Sequence, residues 1–179
     1  MFLPFEVPFS VQSPNHIDLS VCLRIVREIG AENRSKVVKT WLNGWVTSHR
    51  MHEPTLHTCL LGCADEPDAL RHYVCCPRVY AAAKFVVPDT SDNPLIRIGL
   101  MYPSKLSLSI CACIFSGYHG LKSTIRCNDI TVDMDYFSNW CLFAQYLNAE
   151  AVGCGLCATL FAPNRFASFL NDPLHSGST

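Results

Sequence analysis

The sequence lacks an uninterrupted apolar run of the roughly 18 to 20 residues that a membrane-spanning helix requires. Its two best runs, 106–115 and 151–162, are too short and are expected to be core helices. The opening M-F-L-P-F-E-V-P has no basic segment and is broken by Pro4 and Pro8, unlike a secretory signal. Surplus charge is missing too: 14 Lys and Arg against 15 Asp and Glu leave a net charge of −1. No global field therefore draws the chain to a polyanion or an acidic membrane. Neither G-x-x-x-x-G-K-[ST] nor G-x-G-x-x-G occurs, which removes the common phosphate-cradling loops. Seven histidines are present, yet none falls in a local nucleophile–histidine–acid signature. Asp133-Met134-Asp135 resembles a two-aspartate metal pair only superficially, because a polymerase palm needs carboxylates converging from separate strands. The expectation is a protein that is not an enzyme, with no membrane span and no evident small-molecule substrate. No internal repeat or low-complexity linker appears, so 179 residues are expected to form one domain.

Cysteine is what the chain has in excess, with 11 residues. The odd number and the missing signal favour a reducing intracellular compartment, nuclear or cytoplasmic, where clustered cysteines mean metal or buried thiols. The densest group is C-L-L-G-C-A-D-E-P-D-A-L-R-H-Y-V-C-C-P, from Cys59 to Pro77. Cys59 and Cys63 suit a tight turn through Leu60-Leu61-Gly62. His72 and Cys76 stand at i, i+4, so on a helix both would point the same way. Two thiolates from a turn, facing an imidazole and a thiolate from a helix, make a tetrahedral Zn²⁺ site. Cys75, at i+3 from His72, competes for the fourth position and fits it less well. Free cysteine is also among the most buried residue types, so four core thiols are the competing reading. The polar stretch 64–68 (A-D-E-P-D) argues against it, being poor material for a core.

These residues carry a resemblance. W-L-N-G-W-V-T-S-H-R-M, then C-L-L-G-C, an acidic loop, L-R-H-Y and C-C-P-R-V-Y, resemble the zinc-binding segment C-terminal to the polymerase domain in reverse transcriptases of non-LTR (LINE-type) retrotransposons. The match covers roughly residues 37–80, and a weaker likeness in 105–122 extends to the helix that follows the finger. The resemblance implies Cys59, Cys63, His72 and Cys76 as zinc ligands. It places polymerase and endonuclease parts upstream, and the residues before Cys59 are too few to hold them. The chain is thus expected to be a detached module binding RNA or DNA weakly or non-specifically, or a remnant without function. In the alternative, zinc only staples a structural or protein-interaction module.

The expected fold is mainly α, with the Cys-Cys-His-Cys finger (about 55–80) inserted after the second helix. An extended arm (1–17) precedes helices and finger (18–88), and a C-terminal helical part (89–175) packs on them. Periodicity predicts helices over 18–30 and 33–49, the latter with a stripe of Val37, Val38, Trp41, Leu42, Trp45 and Val46. Trp41 and Trp45 belong to that apolar stripe and are expected in the core rather than stacked on bases. Asp68 is expected to cap the finger helix, and Pro77 to end it or open the next. A long helix should run from Pro103 to about Lys122, and further helices over 136–149 and 165–170, with an apolar stretch at 153–161. Basic residues outnumber acidic ones between Arg24 and Lys84 and are outnumbered beyond, so a polyanion would meet the first half. The candidates for nucleic-acid contact are His49, Arg50, His52, Arg71 and Arg78. Cys154 and Cys157 form a C-x-x-C pair, expected to lie in a packed helix rather than to act as a redox dithiol.

Overall fold

The computed structural model describes residues 17–127 and 136–156. The arm at 1–16, Asp133 and Asp135, Cys157, and the expected segments beyond it lie outside those residues. Within them the protein is mainly α, as expected. It comprises α1 (Leu19–Val26), α2 (Ala31–Trp41), α3 (Ser48–Met51), α4 (Leu70–Cys75), α5 (Pro77–Val86), α6 (Pro94–Arg97), α7 (Lys105–Cys127) and α8 (Tyr136–Gly153). No strand is present among the described residues, only an isolated antiparallel bridge between Thr58 and Pro67.

Local chemistry sets most helix ends, and it moves several of them. Asp18 caps α1 through its side chain, which accepts from the Ser20 and Val21 amides. The expected helix over 33–49 is instead two helices. The chain leaves α2 at Leu42, and Asn43 takes a left-handed φ of 54° beside Gly44, the turn chemistry this dipeptide favours. Leu42, assigned to the core stripe, is therefore exposed, whereas Trp41 and Trp45 remain buried. Thr47 then opens α3, accepting from the Arg50 amide. The metal-site loop consequently follows the third helix rather than the second. Pro103 does not sit inside the long helix; Ser104 and Ser107 hydrogen-bond reciprocally at its start, and α7 continues to Cys127.

Helix α7 is the axis of the fold. It packs most extensively on α8 and α2, and also touches α1, α5 and α6. Its buried face includes Leu108, Ile110, Cys111, Ile114, Tyr118 and Leu121. Gly117 and Gly120 allow α8 to lie close: a Cβ on Gly117 would meet the Phe143 ring at 2.9 Å, and one on Gly120 the Tyr146 ring at 2.4 Å. A second clamp is ionic. Lys36 Nζ of α2 lies 2.7 Å from Glu150 Oε1 of α8, whose Oε2 accepts from Ser116 Oγ of α7 at 3.1 Å.

The most demanding group in this core is Asp68, which is fully buried. Its Oδ1 accepts from the hydroxyls of Tyr73 and Tyr118, each at 2.9 Å. Its Oδ2 accepts from the Ser48 amide at 2.7 Å and from Lys122 Nζ at 2.9 Å. The carboxylate thus ties α3, α4 and α7 to one point. It is not the helix cap that its position suggested: α4 begins after Ala69, which makes no side-chain cap bond. Four donors match the acceptor capacity of one carboxylate, and that full pairing is what makes its burial tolerable. Lys122 and Arg126 extend the network to Glu53.

Two outcomes follow from this core. Asp68→Asn keeps the shape but leaves Lys122 only its 3.4 Å contact with Glu53 and turns an acceptor into a donor; it should cost about 3–5 kcal/mol in urea unfolding. His119 has a buried Nε2 without a hydrogen-bond partner. Burial, and then the Lys39 charge, push its pKa down to about 4. An unfolded imidazole titrates near about 6.5, so on acidification the unfolded chain takes this proton first. The cost is absent above that value and grows as pH falls toward about 4. The urea midpoint of His119→Leu should accordingly drop less than that of the parent protein between about pH 7 and about pH 5.

Candidate metal centre

The segment from His57 to Cys76 builds its geometry from short devices. The chain pairs with itself where the Cys59 amide donates to the Glu66 carbonyl at 2.7 Å and the Asp68 amide to the His57 carbonyl at 2.9 Å. Between these strands of loop, Gly62 closes a turn by donating its amide to the Cys59 carbonyl at 2.9 Å. Gly62 has φ +82°, and a Cβ there would meet the Tyr136 ring at 2.4 Å, so both backbone and space require glycine. Leu60 and Leu61, at the turn's tip, are buried and pin it to the core. The Leu60 amide donates to Tyr73 Oη at 3.0 Å, and its carbonyl accepts from Asn139 Nδ2 of α8 at 2.9 Å. Cys59 and Cys63 project from this pinned turn.

The other two groups come from α4 and its end. His72 lies on the helix, but Cys76 does not continue it, so the i, i+4 helix-face argument fails for this pair. Pro77 opens α5 as its first residue, and the residue before a proline is driven from the α region. Cys76 is therefore extended, with φ −59° and ψ 122°, and this break turns its sulfur toward the other three groups.

Cys59, Cys63, His72 and Cys76 each offer one ligand atom, and these atoms all lie within 4.8 Å of one another. The Cys63 and Cys76 sulfurs are 3.5 Å apart. Zn–S bonds of about 2.3 Å at a tetrahedral angle place sulfurs about 3.8 Å apart, close to this spacing. Cys75 is outside the cluster, half-buried, with its thiol pushed up by burial and partly offset by Arg97 and Arg71. His72 Nδ1 lies 3.3 Å from Glu66 Oε2, whereas Nε2 is buried and has no hydrogen-bond partner. That division is what a ligating histidine needs: a carboxylate orients one nitrogen and the other keeps its lone pair for the metal.

The charges also fit a cation. Hydrogen bonds with Cys63 and Cys76 hold the Cys59 thiol far below its ordinary range despite burial, while Cys59, Cys63 and then burial push Cys76 far above it. Burial opposes a proton on His72, but the Cys59 and Cys63 sulfurs outweigh it and raise the imidazole to about 10. A divalent ion bound there would displace the protons these groups hold and would itself balance the charge of the thiolates.

Beside the cluster opens a cleft of about 790 Å³. Cys63 and His72 reach its wall, and His49, Arg50 and Arg71 line it with Glu66. His52 and Arg78 are exposed but stand outside it. Sequence reasoning missed Glu66, whose only signal is an acid six residues before the histidine. It also missed Asp68 as a core group, for which no local signal exists, since Lys122 lies 54 residues on. No family model, curated protein or solved structure matches the chain.

The ligand set predicts a graded response. Cys76→Ser should abolish metal retention and Cys75→Ser should preserve it. Glu66→Gln should bind the metal roughly 10- to 100-fold more weakly, read by competition with a chromogenic chelator.

Proposed function

We propose that this chain is a non-catalytic zinc module that presents single-stranded nucleic acid, RNA or a template strand, with a short basic cleft. Three thiols and one imidazole select zinc over harder divalent ions, and closed four-ligand sites of this kind hold structure rather than perform chemistry. The observation that carries the nucleic-acid reading is the cleft itself. The two guanidinium-bearing residues Arg50 and Arg71 line it with His49, and the metal ligands Cys63 and His72 form part of its wall. Zinc would fix the α4 side of this cleft, so that metal binding organises the phosphate contacts. The reading agrees with the resemblance to the zinc-binding segment of non-LTR retrotransposon reverse transcriptases.

Charge sets the strength of such binding. Two arginines oppose Glu66 in the cleft, and a zinc ion with three thiolates carries −1. With two phosphates neutralised, log Kobs against log[salt] for a single strand should have a slope of only about −1.4. His52 and Arg78, outside the cleft, would add at most peripheral contacts.

A second reading has its own observation. Leu42, Met51 and Leu56 are exposed large apolar side chains on the turn after α2, on α3 and on the loop that follows it. Such residues suit a protein partner, with zinc serving only as a staple.

The test is retention of a fluorescent single-stranded RNA by zinc-loaded protein at low salt. The nucleic-acid reading expects binding that weakens with the slope above. Arg50→Gln with Arg71→Gln should flatten that slope to near zero while zinc stays bound. Undetectable binding, or binding indifferent to both arginines, would sink it in favour of the staple.

A further inference from the structure

Of the three clustered sulfurs, one can be reached from outside. Cys59 is 1% exposed and Cys76 0%, whereas Cys63 is half-buried and lines the cleft that His49, Arg50 and Arg71 share. Its Sγ also stands 3.5 Å from Cys76 Sγ, the two residues being 13 positions apart in the chain. An accessible sulfur therefore touches a sealed one. Cys154, singled out by its C-x-x-C spacing, follows the C-terminal end of α8 and has no part in this pair.

The two sulfurs also differ in how firmly the backbone holds them. Cys76 is fixed between α4, which ends at Cys75, and α5, which opens at Pro77. Cys63 is followed by four exposed residues, 64–67, and Asp65 among them takes a left-handed φ of 57°. A disulfide holds its sulfurs about 2.05 Å apart, so the gap must shorten by about 1.5 Å. Rotation of the Cys63 side chain and of this exposed loop can supply that movement, and Cys76 need not move.

We propose that the metal centre is also a switch sensitive to small hydroperoxides, in which Cys63 is oxidised from the cleft, is joined to Cys76, and so discharges the metal. The inference rests on the metal reading above. A thiol that ligates a metal is deprotonated, and the thiolate is the reactive form. In the first step the Cys63 sulfur attacks one oxygen of hydrogen peroxide. An S–O bond forms, the O–O bond breaks, and the departing hydroxide takes a proton to become water. Arg50 and Arg71 line the space into which that anion leaves. Cys63 is oxidised by two electrons to a sulfenic acid, and the peroxide is reduced. In the second step the Cys76 sulfur attacks the Cys63 sulfur. An S–S bond forms, the S–O bond breaks, and hydroxide leaves to be protonated as a second water. Two thiolates, one peroxide and two protons thus give a disulfide and two waters. Cys59 and His72 alone remain as donors, which is too few to retain the ion. A dithiol that reduces the disulfide restores the site.

The experiment treats zinc-loaded full-length protein with one equivalent of hydrogen peroxide beside a chromogenic chelator, then blocks thiols and maps peptides without reduction. The chelator should gain about one zinc per Cys63–Cys76 cross-link formed, and dithiothreitol followed by added zinc should refill the site. Cys75→Ser, which keeps the metal, should release it at the parent rate and leaves Cys76 as the sole thiol of that peptide able to form the cross-link. Without peroxide, limiting N-ethylmaleimide should modify Cys63 roughly tenfold faster than Cys59 or Cys76. Zinc retained under peroxide, release slowed in Cys75→Ser, a disulfide from Cys59 to Cys63, or equal alkylation of the three sulfurs would overturn the switch and leave the metal centre standing. Protein that carries no zinc before treatment would overturn the metal centre itself, and the switch with it.

Discussion

A buried carboxylate with four donors is the constraint on which this structure turns. Asp68 sits where the metal loop ends, and it can be buried there only if Ser48, Tyr73, Tyr118 and Lys122 all arrive. Each of those groups comes from a different element or a different turn of one. The carboxylate therefore fixes how α3, α4 and α7 meet, in a way that interchangeable apolar contacts would not. Tyr73 passes the constraint on, because its hydroxyl also accepts from the Leu60 amide next to Cys59. The metal cluster and the polar core are thus one connected network, not a finger attached to a helical domain.

The two halves of that network divide the work. Residues 57–69 contain no helix and only one isolated bridge, so backbone pairing holds them weakly. Leu60 and Leu61 anchor one end in the core, and Asp68 anchors the other. Between these anchors Cys63 is half-buried and Glu66 exposed, and a metal ion held by the four-residue cluster would supply the remaining closure. Apparent binding energies of structural zinc in small fingers reach about 10–16 kcal/mol, enough to order such a loop outright. That closure would also steady the cleft lined by Arg50 and Arg71, since Arg71 lies beside His72 on α4.

What the sequence made legible was local. The mainly helical class followed from periodicity, and the clustering of Cys59, Cys63, His72 and Cys76 from cysteine and histidine spacing within 18 residues. Even there the geometry expected for Cys76 was wrong: it joins the cluster because Pro77 breaks the helix, not because the helix carries it. The long helix expected over 33–49 failed because apolar period continues through Asn43-Gly44, whose turn preference outweighs it. Asp68, Arg97 and Lys122 were illegible as core groups, because their partners are distant in sequence and charged residues ordinarily read as surface. Arg97, for instance, is buried by donating to the Val74 carbonyl at 2.7 Å, a contact no periodicity announces.

X-ray absorption at the zinc edge, on protein purified without added metal, should detect about one zinc per chain, with three sulfurs at about 2.3 Å and one nitrogen at about 2.0 Å. A shell of four sulfurs would bring in Cys75 and remove His72. A shell dominated by nitrogen and oxygen, or protein that folds fully with no metal at all, would contradict the claim that a Cys₃His ion closes this loop.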